Sequence, residues 1–167
     1  MNTNTLKTDL FFELEKDLKQ KGFTIDKKVI NRPWGGFFVI DEAHTEDFVV
    51  HFFNGLGVEE LKISGKLSPK ILVVAPTKRL SWQYHHRRAE VWKVVSGMVG
   101  IITSMTDEEG EVRILNPGDL ITLQQGERHR LIGLENWSVL AEIWQHTDVE
   151  NPSDEDDIIR VQDDFGR

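Results

Sequence analysis

Apolar residues recur at helical spacing near the start of the chain and in short, turn-bounded runs through its second half. Over residues 8–22, Phe11, Leu14 and Leu18 fall on one stripe, which predicts an amphipathic helix. Thr8 is placed to cap its free amides, Asp9 suits the first turn, and Gly22 ends it. A stripe of this kind is a packing surface, so the helix is expected to lie across the rest of the fold. Residues 23–30 read as a strand. Residues 45–53 carry both signals: Thr45-Glu46-Asp47 suits a helix start, and Phe48-Val49-Val50 suits extended chain. Asn54-Gly55-Leu56-Gly57 is a turn.

From Lys70 onward the pattern is that of short strands. They are predicted at residues 71–75, 91–95, 99–104, 112–115, 120–123, 130–132 and 138–144. Pro76, Ser96-Gly97, Asp107-Glu108-Glu109-Gly110 and Asn116-Pro117-Gly118-Asp119 separate them. Short strands at this spacing predict an all-β, closed or double-sheet barrel. The acidic stretch 150–157 is a surface connection.

Composition narrows the function classes. A chain of 167 residues suits one domain with a full core. It has no cysteine, which excludes disulfides and thiolate metal sites and suits a reducing, cytoplasmic setting. The start lacks a signal-peptide pattern, and no apolar run is long enough for a bilayer. The net charge of −8 argues against a nucleic-acid partner. An anionic ligand would need a locally positive pocket.

The candidate chemistry lies in Gln83, His85, Glu90 and His129. Alternate residues of a strand face one side, so Gln83 and His85 point together. Glu90 follows a short basic turn, and His129 needs only a neighbouring strand. Two imidazoles, a carboxylate and an amide oxygen suit a divalent ion: zinc first, with manganese, iron or nickel as alternatives. With neutral histidines such a set carries one negative charge and leaves the ion's surroundings positive. By the same alternation Arg88 shares the face of Glu90, where a buried cation calls for an anionic ligand; the alternative turns it outward in the basic loop with Arg87. Trp92 also shares that face. Trp82 has the opposite parity to Gln83 and is expected to pack outside the barrel, against the helix or a second subunit. His44, His51, His86 and His146 read as structural or surface residues.

The spacing resembles the two motifs of the cupin superfamily. Thr77-x5-Gln83-x-His85-x4-Glu90-x6-Gly97 is similar to G-x5-H-x-H-x4-E-x6-G, and Gly118-x5-Gln124-x-Gly126-x2-His129-x3-Gly133 is similar to G-x5-P-x-G-x2-H-x3-N. The departures are Thr77, Gln83, Gln124 and Gly133. Gln83 in place of the first histidine resembles the type II mannose-6-phosphate isomerases. So do Arg32-Pro33-Trp34-Gly35, the run from Leu80 to Trp92, Glu155-Asp156-Asp157-Ile158-Ile159-Arg160 and Asp164-Phe165-Gly166-Arg167.

The resemblance implies a cupin-type double-stranded β-helix, or jelly-roll, over residues 32–167 behind an N-terminal helical extension, 1–31. It implies one divalent metal ion and interconversion of mannose 6-phosphate and fructose 6-phosphate through an enediolate. Arg88 would stabilise the developing charge. Glu142 aligns with the Glu of the family's E-V-Q segment and is the candidate base. Trp144 stands where that segment has Gln. Arg160, Lys93 and Arg32 are candidate phosphate ligands, with Trp92 flooring the pocket. Apolar outer faces at Trp82 and the helical stripe imply a homodimer. The alternative is a non-catalytic cupin that holds a metal and binds a sugar phosphate. A redox cupin, oxygenase or decarboxylase, is disfavoured by Gln83.

Overall fold

The computed structural model describes residues 3–167, with side chains from Leu6 onward. Helix α1 (Thr3–Gln20) is followed by strands β1 (Ile25–Arg32) and β2 (Gly35–Ile40). After a 3-10 turn come helices α2 (Thr45–Phe52) and α3 (Val58–Leu61). Nine strands follow: β3 (Lys70–Val74), β4 (Trp82–Tyr84), β5 (Arg88–Ser96), β6 (Val99–Ser104), β7 (Arg113–Leu115), β8 (Leu120–Leu123), β9 (Arg128–Gly133), β10 (Ser138–His146) and β11 (Ile159–Gln162). They form two antiparallel sheets, ordered β1-β2-β3-β10-β5-β8 and β11-β4-β9-β6-β7. This is the expected jelly-roll, with the helices outside it. No helix among the described residues is long and apolar enough to cross a membrane.

The inner strands of the six-stranded sheet, β2, β3, β10 and β5, are buried on both faces, which explains their apolar runs; the edge strands β1 and β8 are largely exposed. On β3, Ile71 and Val73 join Phe11, Leu18, Phe38 and Phe48 in a core beneath the helices. Leu72 and Val74 point the other way and join Trp92, Val99, Ile101 and Leu131 between the sheets. Strand alternation thus divides one segment between two cores.

Several expectations shift. Helix α1 starts at Thr3, so Thr8 lies inside it rather than at its cap. Its end is as predicted: Gly22 takes φ +91°, and the amides of Gly22 and Phe23 bond Lys19 and Leu18 carbonyls. The ambiguous stretch is helical over Thr45–Phe52, with Phe48 and Val49 buried. The boundary drawn after residue 31 falls within β1, whose partner β2 ties it into the sheet. The two faces on which the homodimer expectation rested are covered within the chain. Phe11 and Leu18 are in the core, and Trp82 is buried with its indole N–H donating to the Asp107 carbonyl at 2.8 Å.

Gly133 closes the second motif where the cupin pattern has Asn. A Cβ there would lie 2.0 Å from the Ala75 carbonyl oxygen and 2.9 Å from that of Lys78. The backbone of residues 75–78 passes too close for any side chain, and the Gly133 amide bonds Lys78 O at 2.7 Å. Gly133→Ala is therefore expected to cost about 3 kcal/mol and lower Tm by roughly 6–12 °C in calorimetry.

Candidate metal centre

Both sheets contribute to one cavity of about 410 Å³. From the five-stranded sheet comes Gln83 on β4, and His129 on β9 stands directly opposite it in the ladder, behind the cavity wall. His85 follows the end of β4. From the six-stranded sheet come Arg88, Glu90 and Trp92 on one face of β5, and Glu142 and Trp144 on β10. There Trp144 pairs with Glu90, and Glu142 with Trp92.

His85, Glu90 and His129 are each 2% exposed, and each offers a ligand atom within 4.8 Å of the others. His85 Nε2 is 3.1 Å from Glu90 Oε1, and His129 Nε2 is 3.7 Å from Glu90 Oε2. The tautomers are set from behind. His85 Nδ1 donates to the Asp157 carbonyl at 2.7 Å and His129 Nδ1 to that of Glu127 at 3.0 Å, so both Nε2 lone pairs face inward. His129 Nε2 is a buried polar atom without a hydrogen-bond partner among the described residues. Such an atom is costly unless something occupies its lone pair. A divalent ion fits this donor set.

Gln83 stands beside the cluster. Its amide nitrogen is 3.5 Å from His85 Nε2, and its oxygen accepts the Ser81 hydroxyl at 2.5 Å. A half-turn of the amide presents the oxygen to the cluster and lets the nitrogen donate to Ser81.

Arg88 lies inside and is 6% exposed. Its Nε donates to Glu90 Oε1 at 2.9 Å and one terminal nitrogen to His85 Nε2 at 3.2 Å; the other reaches Ser153 Oγ and the Asp154 carbonyl. The guanidinium stacks on Trp144, 3.6 Å from its centroid. Lys70 Nζ, ion-paired with Glu155, lies 4.0 Å from the same ring's centroid.

Two buried carboxyls are driven apart. Burial pushes Glu90 upward, but its interactions with His85 and the Arg88 guanidinium outweigh that and hold Glu90 well below the usual carboxylate range. Glu142 is raised to about 8 by burial and by the Glu90 charge, against the pull of Lys70 and Arg88. Its oxygens accept the indole N–H groups of Trp92 at 2.7 Å and Trp144 at 2.8 Å. Burial lowers His129 to about 4, against the attraction of Glu90.

Of the sequence-derived site residues, Arg32, Gln83, Arg88, Glu90, Trp92, Glu142 and Arg160 line the cavity, with His85 and His129 buried behind it. Lys93 does not: on β5 it alternates with Trp92 and faces away. The sequence reading missed Lys70, Ser153 and the structural part of Asp157. Asp157 accepts the His86 and Arg87 amides at 2.9 and 3.0 Å and the Ser153 hydroxyl at 2.6 Å, so it ties the acidic connection to the site. Its place in the acidic run was the available signal. Lys70 gave none, because it reads as the polar start of a strand.

His146 shows how the surroundings are set. Its Nδ1 accepts the Ser153 amide at 3.0 Å, so its Nε2 donates to Ser68 Oγ at 2.8 Å. Burial, then the charges of Lys66 and Arg88, lower it to about 4. Unfolded histidine takes a proton below about 6.5. Between those values the unfolded state binds more protons, so stability falls as pH drops from about 6.5 towards 4 and levels off below. His146 is expected to contribute about 2 kcal/mol of loss between pH 7.5 and 5. Urea unfolding of the wild type and His146→Gln at the two pH values measures it: the variant should lose less.

The family described as mannose-6-phosphate isomerase C-terminal matches residues 52–163. Mannose-1-phosphate guanylyltransferase ManC of Salmonella typhimurium is 29% identical over 143 residues, covering 83% of this chain and 23% of that protein. Alginate biosynthesis protein AlgA of Pseudomonas aeruginosa is 29% identical over 166 residues, covering 91% and 26%. The chain spans about a quarter of the length of the curated relatives it matches. Capsular polysaccharide assembling protein CapF of Staphylococcus aureus shares the fold with a TM-score of 0.54 at 13% identity, covering 84% of this chain and 32% of that one. KdgF from Halomonas sp. does so at 0.52 and 15%, covering 78% and 91%.

Proposed function

Because the chain belongs to the family of mannose-6-phosphate isomerase C-terminal domains, we propose that it interconverts mannose 6-phosphate and fructose 6-phosphate at a divalent ion held by Gln83, His85, Glu90 and His129. The observation that carries the reading is the buried His129 Nε2, which has no hydrogen-bond partner among the described residues and lies beside Glu90 and His85. When bound, a divalent ion, zinc first among the candidates, supplies Lewis-acid polarisation of the sugar's carbonyl and hydroxyl oxygens.

The chain's own residues do the rest. Isomerisation moves one carbon-bound proton between C2 and C1 and one hydroxyl proton between O2 and O1; the carbon-bound one is the difficult transfer. Glu142 is the group to carry it: it is buried, lines the cavity, and its pKa of about 8 suits taking a proton from carbon and returning it near neutral pH. Arg88 directs a guanidinium at the site where the enediolate's negative charge develops. The Trp92 and Trp144 indoles orient Glu142, and their rings wall the cavity from water.

A second reading has one observation in its favour. Both Glu142 oxygens already accept an indole N–H, which suits a fixed carboxylate better than a mobile proton carrier. On that reading the chain is a cupin that holds a metal and binds a sugar phosphate without turning it over. Conversion of mannose 6-phosphate, followed by NMR with metal-replete and chelator-treated protein, tests the proposal. Fructose 6-phosphate should accumulate only with the metal-replete sample.

A further inference from the structure

The hydrogen bonds of Arg88 divide into two sets. Its Nε and Nη2 donate to Glu90 Oε1 and His85 Nε2, atoms that a metal would use. Its Nη1 donates to Ser153 Oγ at 2.8 Å and to the Asp154 carbonyl at 3.0 Å, which uses both hydrogens of that nitrogen. The Trp144 ring lies against the guanidinium, 3.6 Å from its centroid. A stacked ring fixes the plane of a guanidinium but not its rotation within that plane. In-plane hydrogen bonds decide which edge faces the cavity. Once a metal claims His85 Nε2, the bonds from Nη1 are the ones that no metal disturbs.

Both acceptors of Nη1 lie on the connection between β10 and β11, and Ser153 is fixed there at two points. Its amide donates to His146 Nδ1 at 3.0 Å, and its hydroxyl donates to Asp157 Oδ2 at 2.6 Å. A serine hydroxyl has one hydrogen, so a hydroxyl that donates to Asp157 turns only lone pairs towards Arg88. Asp157 is itself held, accepting the His86 and Arg87 amides through its two carboxylate oxygens. Ser153 is 5% exposed and Asp157 3%, so water does not compete for these bonds. The Asp154 carbonyl is set by a tight turn, in which Asp154 Oδ1 accepts the amides of Asp156 and Asp157 at 3.0 Å each.

We infer that Ser153 is a positioning residue: oriented by Asp157 and His146, its hydroxyl fixes which edge of the Arg88 guanidinium faces the cavity. The effect on turnover rests on the reading that Arg88 meets an enediolate; the hold on Arg88 does not. Ser153→Ala leaves every partner another bond. Asp157 Oδ2 keeps the Arg87 amide, and Arg88 Nη1 keeps the Asp154 carbonyl. The variant should therefore fold, with Arg88 held by one anchor fewer.

Side-chain nitrogen–proton NMR with zinc present reads rotation about the Arg88 Nε–Cζ bond, the Arg88 signals being those lost in Arg88→Gln. The Nη1 and Nη2 signals should be distinct in the wild type, and their exchange should quicken on the order of 10-fold or more in Ser153→Ala. Ser153→Thr keeps the hydroxyl and should keep the slow exchange. Metal content should not differ among these proteins. For mannose 6-phosphate, Ser153→Ala should lower kcat on the order of 10-fold with KM within about 2-fold, and it should add nothing to Arg88→Gln. Unchanged Arg88 exchange in Ser153→Ala overturns the inference. So does loss of metal in that variant, which would make Ser153 a prop for His85. Faster rotation with undiminished turnover in an active protein overturns the part in the reaction. Faster rotation in a protein that never converts mannose 6-phosphate keeps Ser153 as the hold on Arg88 and removes the isomerase reading.

Discussion

His85→Ala and His129→Ala are each expected to strip the chain of its metal. The wild type should carry a single divalent ion per chain by elemental analysis, and each variant close to none. Both imidazoles present a lone pair fixed by a hydrogen bond from the far ring nitrogen to a backbone carbonyl. Such outer contacts alone typically tune metal affinity by about 10- to 100-fold, so loss of a ligand should cost at least about 100-fold. Removing His129 also removes a buried atom that has no other described partner. Loss of metal should therefore not be accompanied by unfolding at 25 °C. Full metal retention in both variants would show that the site is misassigned.

Arg88→Ala should lose about 100- to 1,000-fold in turnover and keep its metal. A guanidinium cannot ligate a cation, but it can face an anion. The side chain now donates to His85 Nε2 and Glu90 Oε1, two atoms that a metal would use. Each imidazole Nε2 has one lone pair, so Arg88 must turn that N–H elsewhere when a metal takes it. Deleting the guanidinium removes a competitor and should not weaken metal binding. The variant also leaves the buried Glu90 charge without its arginine, so the measurement is made on metal-loaded protein, with Arg88→Gln as a second substitution of similar reach. Metal content by elemental analysis and turnover by NMR separate the two roles. Turnover at the wild-type rate would show that Arg88 has no part in charge stabilisation.

The site was legible because it depends on local parity and on two spaced motifs. Gln83 and His129 face each other across one ladder, and Arg88, Glu90 and Trp92 share a face of β5, as alternation requires. The same rule applied to Lys93 would have removed it from the pocket. Two departures from the cupin motifs acquire a physical reading. Thr77, where the pattern has Gly, keeps the left-handed backbone at φ +63°, a conformation β-branched residues seldom adopt. Gly133, where the pattern has Asn, lies against a neighbouring backbone that leaves no room for a side chain.

Other parts were not legible. Strand β2 is buried along nearly its whole length and begins with two glycines, so it shows neither alternation nor strand composition. Those glycines are needed where Val73, Val29 and Phe11 press on the backbone, a contact that only the folded chain reveals. Strand β11 has four exposed residues and pairs only with the three-residue β4. Trp82 has outward parity as read, and it is buried within the chain, with its indole N–H donating to the Asp107 carbonyl two strands on.

The central claim is that this cavity moves a proton on a sugar phosphate. Exchange of the C1 or C2 proton of mannose 6-phosphate and fructose 6-phosphate with deuterium oxide measures that step directly, even where product does not accumulate. Metal-replete wild type should introduce deuterium at those carbons, and chelation or Arg88→Ala should suppress it. If metal-replete protein binds mannose 6-phosphate and introduces none, the proton-transfer account is contradicted and the chain is a binding cupin.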